Sequence, residues 1–247
     1  MTTCTIREHP LPEAAVGTAR KLLSVHFGPS SANRKVYIQA GLHADEAPGY
    51  LVAARLLELL NRADAQGEIL GEIVVVPVAN PIGLGQWGTD SVQGRFDNSD
   101  HINFNRRYYD LVVDMTERLQ GMLGQDSREN AALIRKCAGE ILKAKEPTTE
   151  AETLKHTLLT LSHDADIVLD LHCDHEALLH VYMGTALWPE GKDLSAQMGA
   201  GVTLLANDSG DMPFDEANSK LWWDLAKAFP EATIPTACLA ATIELRG

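Results

Sequence analysis

Short apolar runs alternate with longer amphipathic ones along the chain, and this rhythm predicts most of its elements. Residues 22–27 and 35–40 have strand length and are joined by a turn-rich stretch at 28–33. Residues 72–78 are dominated by Ile and Val, as in a strand buried on both faces. Further strands are predicted at 166–171, 178–183, 202–206 and 238–245. Between them, 47–61, 108–123, 127–145, 150–163, 194–201 and 216–229 predict helices. In the first helix Pro48 suits the opening turn, and Leu51, Val52, Arg55, Leu56, Leu59 and Leu60 set an apolar stripe beside a polar edge. Pro147, Thr148 and Thr149 separate the third helix from the fourth. Strands alternating with helices predict an α/β domain of three layers, α/β/α, around a mixed, mainly parallel central sheet.

Residues 80–107 break the rhythm. They are rich in Gly, Asp, Asn and Pro and keep no sustained period. An unstructured stretch of that length in a compact domain is usually functional or disordered. Trp87, Phe96, Phe104 and the arginines Arg95, Arg106 and Arg107 favour function.

Composition narrows the classes. A chain of 247 residues, 45% hydrophobic and 22% charged, suits one large α/β domain, read here over residues 1–247. The net charge of -13 argues against nucleic acid and anionic membranes as partners. No stretch approaches the roughly 18 apolar residues of a membrane span. Cys4, Cys137, Cys173 and Cys238 are scattered without a CxxC pair, which reads as reduced thiols. Residues 1–12 lack a basic-then-apolar signal pattern, so a cytoplasmic location is expected. The chain stops two residues past the predicted strand at 238–245. That reads as truncation, the alternative being that this strand lies at a sheet edge.

Candidate chemistry gathers at strand ends. His43 and Glu46 follow the strand at 35–40, between Gly41 and Pro48-Gly49. With 34 acids and nine histidines, about one such spacing arises by chance, and His163 with Asp166 repeats it. Position after a strand is what distinguishes the first pair. His172 ends the apolar run at 167–171. Two imidazoles and a carboxylate can make a three-ligand zinc site whose fourth position stays open for water. Asp170, an acid inside an apolar strand, is costly to bury unless paired, and could orient a ligand. His175 and His180 compete for the ligand role, with His180 reading as structural or pocket-lining. Asn105 and Arg106 close the long loop, and an arginine fork beside an amide suits a carboxylate. Arg95 could stabilise charge developing on a carbonyl oxygen. Glu244, in Thr242-Ile243-Glu244-Leu245, could serve as a general base or lie at a solvated strand end. Trp222-Trp223 could mark an interface between copies, although core packing is the commoner fate of such a pair.

Five motifs occur in order: Gly41-Leu42-His43-Ala44-Asp45-Glu46, Asn80-Pro81-Ile82-Gly83, Asn103-Phe104-Asn105-Arg106, Asp170-Leu171-His172 and Thr242-Ile243-Glu244-Leu245-Arg246-Gly247. Together they resemble the succinylglutamate desuccinylase/aspartoacylase family of the zinc carboxypeptidase-like superfamily, over residues 41–247. The resemblance implies a zinc carboxypeptidase-like fold and one Zn2+ per chain, held by His43, Glu46 and His172. It implies Glu244 as general base and later proton donor to the leaving amine. It further implies Arg95 polarising the scissile carbonyl and Asn105 with Arg106 gripping the substrate carboxylate. The expected reaction is hydrolysis of an amide in a small anionic substrate of the N-acyl amino acid type. A carboxypeptidase-like metallopeptidase is the alternative within enzymes. A non-catalytic binding protein for an amino-acid derivative, linked to transport, is the alternative outside them. Members of this family usually continue past the catalytic Glu into a small β-rich C-terminal domain, so this chain is expected to be truncated ahead of it. The stretch between Arg95 and Asn105 is also longer than in aspartoacylases.

Overall fold

The computed structural model describes residues 3–13, 15–30, 32 and 34–247. Ser31 and Asn33 of the predicted turn, and Met1 and Thr2 of the amino-terminal stretch, lie outside the described residues. One eight-stranded sheet organises the rest. Its strands are β1 (Thr5–Pro10), β2 (Lys21–Phe27), β3 (Lys35–Ala40), β4 (Glu72–Val76), β5 (Ile167–His172), β6 (His180–Gly184), β7 (Val202–Ala206) and β8 (Leu239–Glu244). They lie in the order β1-β2-β4-β3-β5-β8-β6-β7. The run β4-β3-β5-β8 is parallel, as is β6 with β7, while β1, β2 and the β8–β6 junction are antiparallel. The sheet is therefore mixed and mainly parallel, as the alternation of elements predicts. β8 pairs with β5 on one side and β6 on the other, so it is an interior strand and the edge-strand alternative fails.

Helices cover both faces. α1 (Pro48–Gln66) packs on β3, β4 and β5, and α6 (Trp188–Met198) on β6 and β7, sealing a core around Ala53, Leu171, Met183 and Ile243. The short α2 (Pro81–Leu84) opens the long loop. On the other face α3 (Val112–Arg118), α4 (Ser127–Ala144), α5 (Glu150–Ser162) and α7 (Phe214–Ala228) enclose the larger core. Trp222 is fully buried there, and Trp223 packs against the smaller core, so the Trp pair belongs to the interior.

Four expectations change. β1 was not predicted; its side chains are mostly exposed, and its pairing with β2 holds it in place. The buried side of α1 runs through Gly49, Ala53 and Asp64, whereas Leu51, Val52 and Leu59 of the expected stripe face solvent. The small residues allow close approach: an added Cβ at Gly49 would lie 3.2 Å from the Leu171 carbonyl oxygen. α3 is shorter than 108–123, because the amides of Arg107 and Tyr108 bond to the carbonyls of Asp211 and Met212 instead of entering a helix. α6 begins six residues before the predicted 194, with Pro189 in its first turn, where no amide donor is needed. Among the described residues, no helix is long and apolar enough to cross a membrane.

Candidate functional site

The parallel strands β3, β5 and β8 deliver their carboxyl ends to one rim of the sheet, where open α/β folds place their ligands. His43 sits in the turn after β3, which Gly41 opens at φ 72°. A Cβ on Gly41 would lie 2.2 Å from the Tyr50 ring, and the Tyr50 hydroxyl donates to the Ala44 carbonyl. The long loop clamps this turn from outside. Ala44 N–H donates to the Gly94 carbonyl at 3.1 Å, and Asn80 Nδ2 donates to the Leu42 carbonyl at 2.9 Å. At Gly94 an added Cβ would lie only 2.3 Å from the Asp45 nitrogen. Gly94→Ala is expected to push the ligand turn aside and lower both thermal stability and metal affinity. A melting curve and a metal titration check this; an unchanged affinity would show the clamp to be dispensable.

His43, Glu46 and His172 converge, with one donor atom from each lying within 4.8 Å of the others. All three are buried. Glu46 lies between the rings, its Oε1 2.9 Å from His43 Nδ1 and its Oε2 2.8 Å from His172 Nδ1. The far nitrogen of each ring is held from outside. His172 Nε2 donates to Asp170 Oδ2 at 2.9 Å. His43 Nε2 lies 2.8 Å from Asn103 Oδ1, an oxygen that also accepts the Asn105 N–H. With Nε2 donating outward, a neutral ring presents the Nδ1 lone pair inward, the tautomer a metal requires. This donor set fits a metal ion, and the triad could bind one.

Asp170 justifies its cost by being fully paired. Its Oδ1 accepts from Gln39 Nε2 at 3.0 Å, and Gln39 in turn accepts from the Tyr37 hydroxyl at 2.8 Å. These partners are buried, so the His172 ring is tied to the sheet interior. Outer-sphere partners of this kind contribute about 10–100-fold to metal affinity. Asp170→Asn is therefore expected to weaken metal binding by about that factor, measured by competition with a chelating dye.

Electrostatics agree with tight coupling. Burial alone would raise the pKa of Glu46, but hydrogen bonds and charge from His172 and His43 outweigh it and hold the carboxyl well below its usual range. Burial alone would lower the pKa of His172, but Asp170 and Glu46 outweigh it and hold the ring well above its usual value.

The triad opens on a cleft of about 460 Å³, lined also by Arg95, Asn105, Arg106, Asp174, Tyr182, Asp215, Glu216, Thr242 and Glu244. Glu244 pairs across the sheet with His172 and His180, and its Oε2 is sealed from solvent and has no partner among the described residues. Burial, with Asp174 and Glu46 adding to it and His172 and His180 opposing, pushes its pKa up to about 7. Asp215 is likewise pushed up to about 7, by burial first and then by Glu216 and Asp170. Between about pH 4 and 7 the folded Asp215 keeps a proton that the unfolded chain has released, so stability falls as pH rises through that window. Asp215→Asn is expected to remove this slope in the metal-free protein. At about 1.4 kcal/mol per pKa unit, the gain reaches up to about 4 kcal/mol above pH 7. Urea unfolding of both proteins at pH 5 and pH 8 checks it, and an equal difference at both would refute the assignment.

Seven residues singled out from sequence thus line or build one site: His43, Glu46, His172, Arg95, Asn105, Arg106 and Glu244. Arg95 reaches Glu46 Oε1 at 2.7 Å. Asn105 Oδ1 accepts from the Phe214 amide, and Arg106 donates to the Asn105 carbonyl. Other expectations fail. Arg107 faces Asp211 at 3.7 Å outside the cleft, and His175 is exposed. His180, in keeping with its structural reading, is buried, bonded to the Leu178 carbonyl and 3.3 Å from Asp174. Sequence reasoning missed Asn103 as the outer partner of His43, and Asp215 and Glu216 as cleft residues. The only sequence signal for Asn103 was its place in the Asn-Phe-Asn-Arg motif.

The succinylglutamate desuccinylase/aspartoacylase catalytic-domain model matches residues 32–225. The chain belongs to the succinylglutamate desuccinylase/aspartoacylase family. A solved family protein from Shewanella amazonensis SB2B is 31% identical, covering 98% of this chain and 66% of its own, with a TM-score of 0.81. A second, from Shewanella frigidimarina NCIMB 400 and carrying the same family name, is 26% identical, with coverages of 99% and 65% and a TM-score of 0.77. The chain thus spans just under two thirds of these relatives. A metallo-carboxypeptidase from Burkholderia cenocepacia shares the fold at 16% identity and a TM-score of 0.52, covering 100% of this chain and 56% of its own. The carboxypeptidase-like fold implied by the motifs is therefore present. No curated protein matches the chain.

Proposed function

We propose that this family member is a zinc-dependent hydrolase that cleaves the amide bond of a small carboxylate-bearing substrate of the N-acyl amino acid type. One observation carries the reading: Glu244, a buried carboxylate with an oxygen that has no partner among the described residues, shares a cleft with the His43–Glu46–His172 triad and with Arg106. A zinc ion held by the triad would supply a Lewis acid and bring the pKa of water down towards about 7.

The remaining chemistry belongs to side chains. Glu244 takes the proton of the attacking water and later returns it to the leaving amine nitrogen. Glu244, pushed up to about 7 by burial, would be held more fully ionised at neutral pH by a cation bound at the triad. Arg95, whose side chain is 40% exposed, polarises the scissile carbonyl. Arg106 takes the substrate carboxylate. Its guanidinium is fixed by the Asn105 carbonyl, and Asn105 Nδ2 is left to donate because Oδ1 is committed to Phe214. All four cysteines are free thiols, which supports a reducing compartment, and we place the chain in the cytoplasm.

Metal analysis of the purified protein, followed by a panel of N-acyl amino acids and C-terminally free dipeptides, tests the reading. About one zinc per chain and turnover of N-acyl amino acids are expected. Turnover of dipeptides alone would make it a peptidase. Tight ligand binding without hydrolysis would make it a binding protein.

A further inference from the structure

Asn103, Asn105 and Arg106 share one tight turn, and the site depends on it twice. Asn103 Oδ1 meets the outer nitrogen of His43, while Asn105 and Arg106 line the cleft. Arg106 N–H donates to the Asn103 carbonyl at 3.1 Å, Phe104 between them is fully buried, and Arg107 leaves the turn at φ 59°. The segment before α7 holds the turn on one side. There the Arg107 amide donates to the Asp211 carbonyl, and Asn105 Oδ1 accepts from the Phe214 amide. On the other side stands Lys155 of α5. Its Nζ donates to the Arg106 carbonyl at 2.8 Å and reaches the Asn103 carbonyl at 3.4 Å. Among the described residues these are the hydrogen bonds that join α5 to residues 103–107.

An ammonium is strongly hydrated, and withdrawing it from water without a carboxylate partner is costly. Lys155 is partly buried, and among the described residues no Asp or Glu oxygen lies within 4.0 Å of its Nζ. Burial lowers its pKa, with Arg107 adding to that and Asp100, Asp97 and Asp211 opposing. Packing alone needs no charge at this place. What the charge adds is grip, because a hydrogen bond from an ionised donor is roughly twice as strong as a neutral one.

We propose that Lys155 is a positioning residue whose ammonium fixes the turn at 103–106, and through it sets the His43 ring and the Arg106 guanidinium together. The ring follows Asn103 Oδ1, and the guanidinium follows the Asn105 carbonyl to which it donates. The inference rests on the hydrolase reading of the cleft. It gives α5, which contributes no residue to the cleft lining, a part in both metal and substrate binding.

Lys155→Met keeps the apolar stem and removes the donor. On the zinc-loaded protein, KM for the N-acyl amino acid that the wild type turns over fastest should rise about fivefold with kcat within about twofold, the pattern of lost uniform binding. Zinc affinity, measured by competition with a chelating dye, should fall about tenfold, the lower end for a change outside the ligands. Lys155→Arg, which keeps the charge and donors, should restore most of both. Glu152→Ala is the control, because it opens the capping box of α5 without touching the turn, and it should move neither. Equal losses in Lys155→Met and Glu152→Ala would overturn the proposal, since Lys155 would then act only through helix stability. So would unchanged KM and zinc affinity in Lys155→Met, or losses that Lys155→Arg leaves in full. If no N-acyl amino acid is hydrolysed or no zinc is bound, the hydrolase reading fails separately, and amide hydrogen exchange over residues 103–107 of the metal-free protein decides. Faster exchange there in Lys155→Met, absent from Glu152→Ala, supports the anchor; unchanged exchange overturns it. Should Lys155→Met fail to fold, Lys155→Gln, with a neutral donor, carries the same comparisons.

Discussion

Glu244→Gln is expected to lower kcat by about a thousandfold, within the range for loss of a general base, while zinc content stays at the wild-type level. The substitution keeps the shape of the side chain at the end of β8, where Glu244 faces His172 and His180 across the sheet. It removes only the ability to take a proton. No triad contact is lost, because the hydrogen bonds of His43, Glu46 and His172 go to one another, to Asp170, Asn103 and Arg95, and to the Cys173 amide. Turnover within a factor of a few of wild type would remove Glu244 from the mechanism. Loss of metal together with turnover would instead make it part of the binding shell.

His172→Ala should have the broader effect, because that ring serves two functions. Zinc binding should disappear for want of one of three ligands. The fold should also weaken, since Asp170 Oδ2 and Glu46 Oε2 both lose a buried partner. Removing one member of a buried charged group costs about 3–5 kcal/mol, a large share of the roughly 5–15 kcal/mol that stabilises a typical protein. His43→Ala should also lose the metal but destabilise less, because the outer partner it leaves is the neutral Asn103. Denaturant unfolding of the two metal-free variants separates these contributions. Equal stability of His172→Ala and wild type would show that the buried pairing with Asp170 contributes nothing.

How much of this was legible in sequence varied with how local the cause is. The candidate ligands were readable because each lies at or just past the end of an apolar strand, and the sheet brings strand ends to one rim. Asp170 was readable as an acid needing a partner, although nothing local named Gln39. β1 was not readable: Thr5-Ile6-Arg7-Glu8-His9-Pro10 has no apolar face, and only β2 makes it a strand. The buried side of α1 was misplaced because leucine content suggested one face, while close contact with Leu171 selected glycine and alanine on another. Asp215 and Glu216 look like ordinary first-turn acids. Their place beside Arg106, more than a hundred residues earlier, is set by how α7 packs on β5, β6 and β8.

The interior position of β8 has a consequence for how the chain folds as it is synthesised. β5 is finished once residue 172 has emerged, yet its neighbour in the sheet starts at Leu239. Until then β6 and β7 have no hydrogen-bonded link to the rest of the sheet, and one flank of β5 stays open. Such unpaired flanks attract aggregation, and long-range pairings form slowly. Insertion of β8 joins the two halves of the sheet and brings Glu244 beside His172 in the same event. A nascent chain stalled before residue 239 should therefore be protease-sensitive throughout β6 and β7, and a chain released after β8 should not.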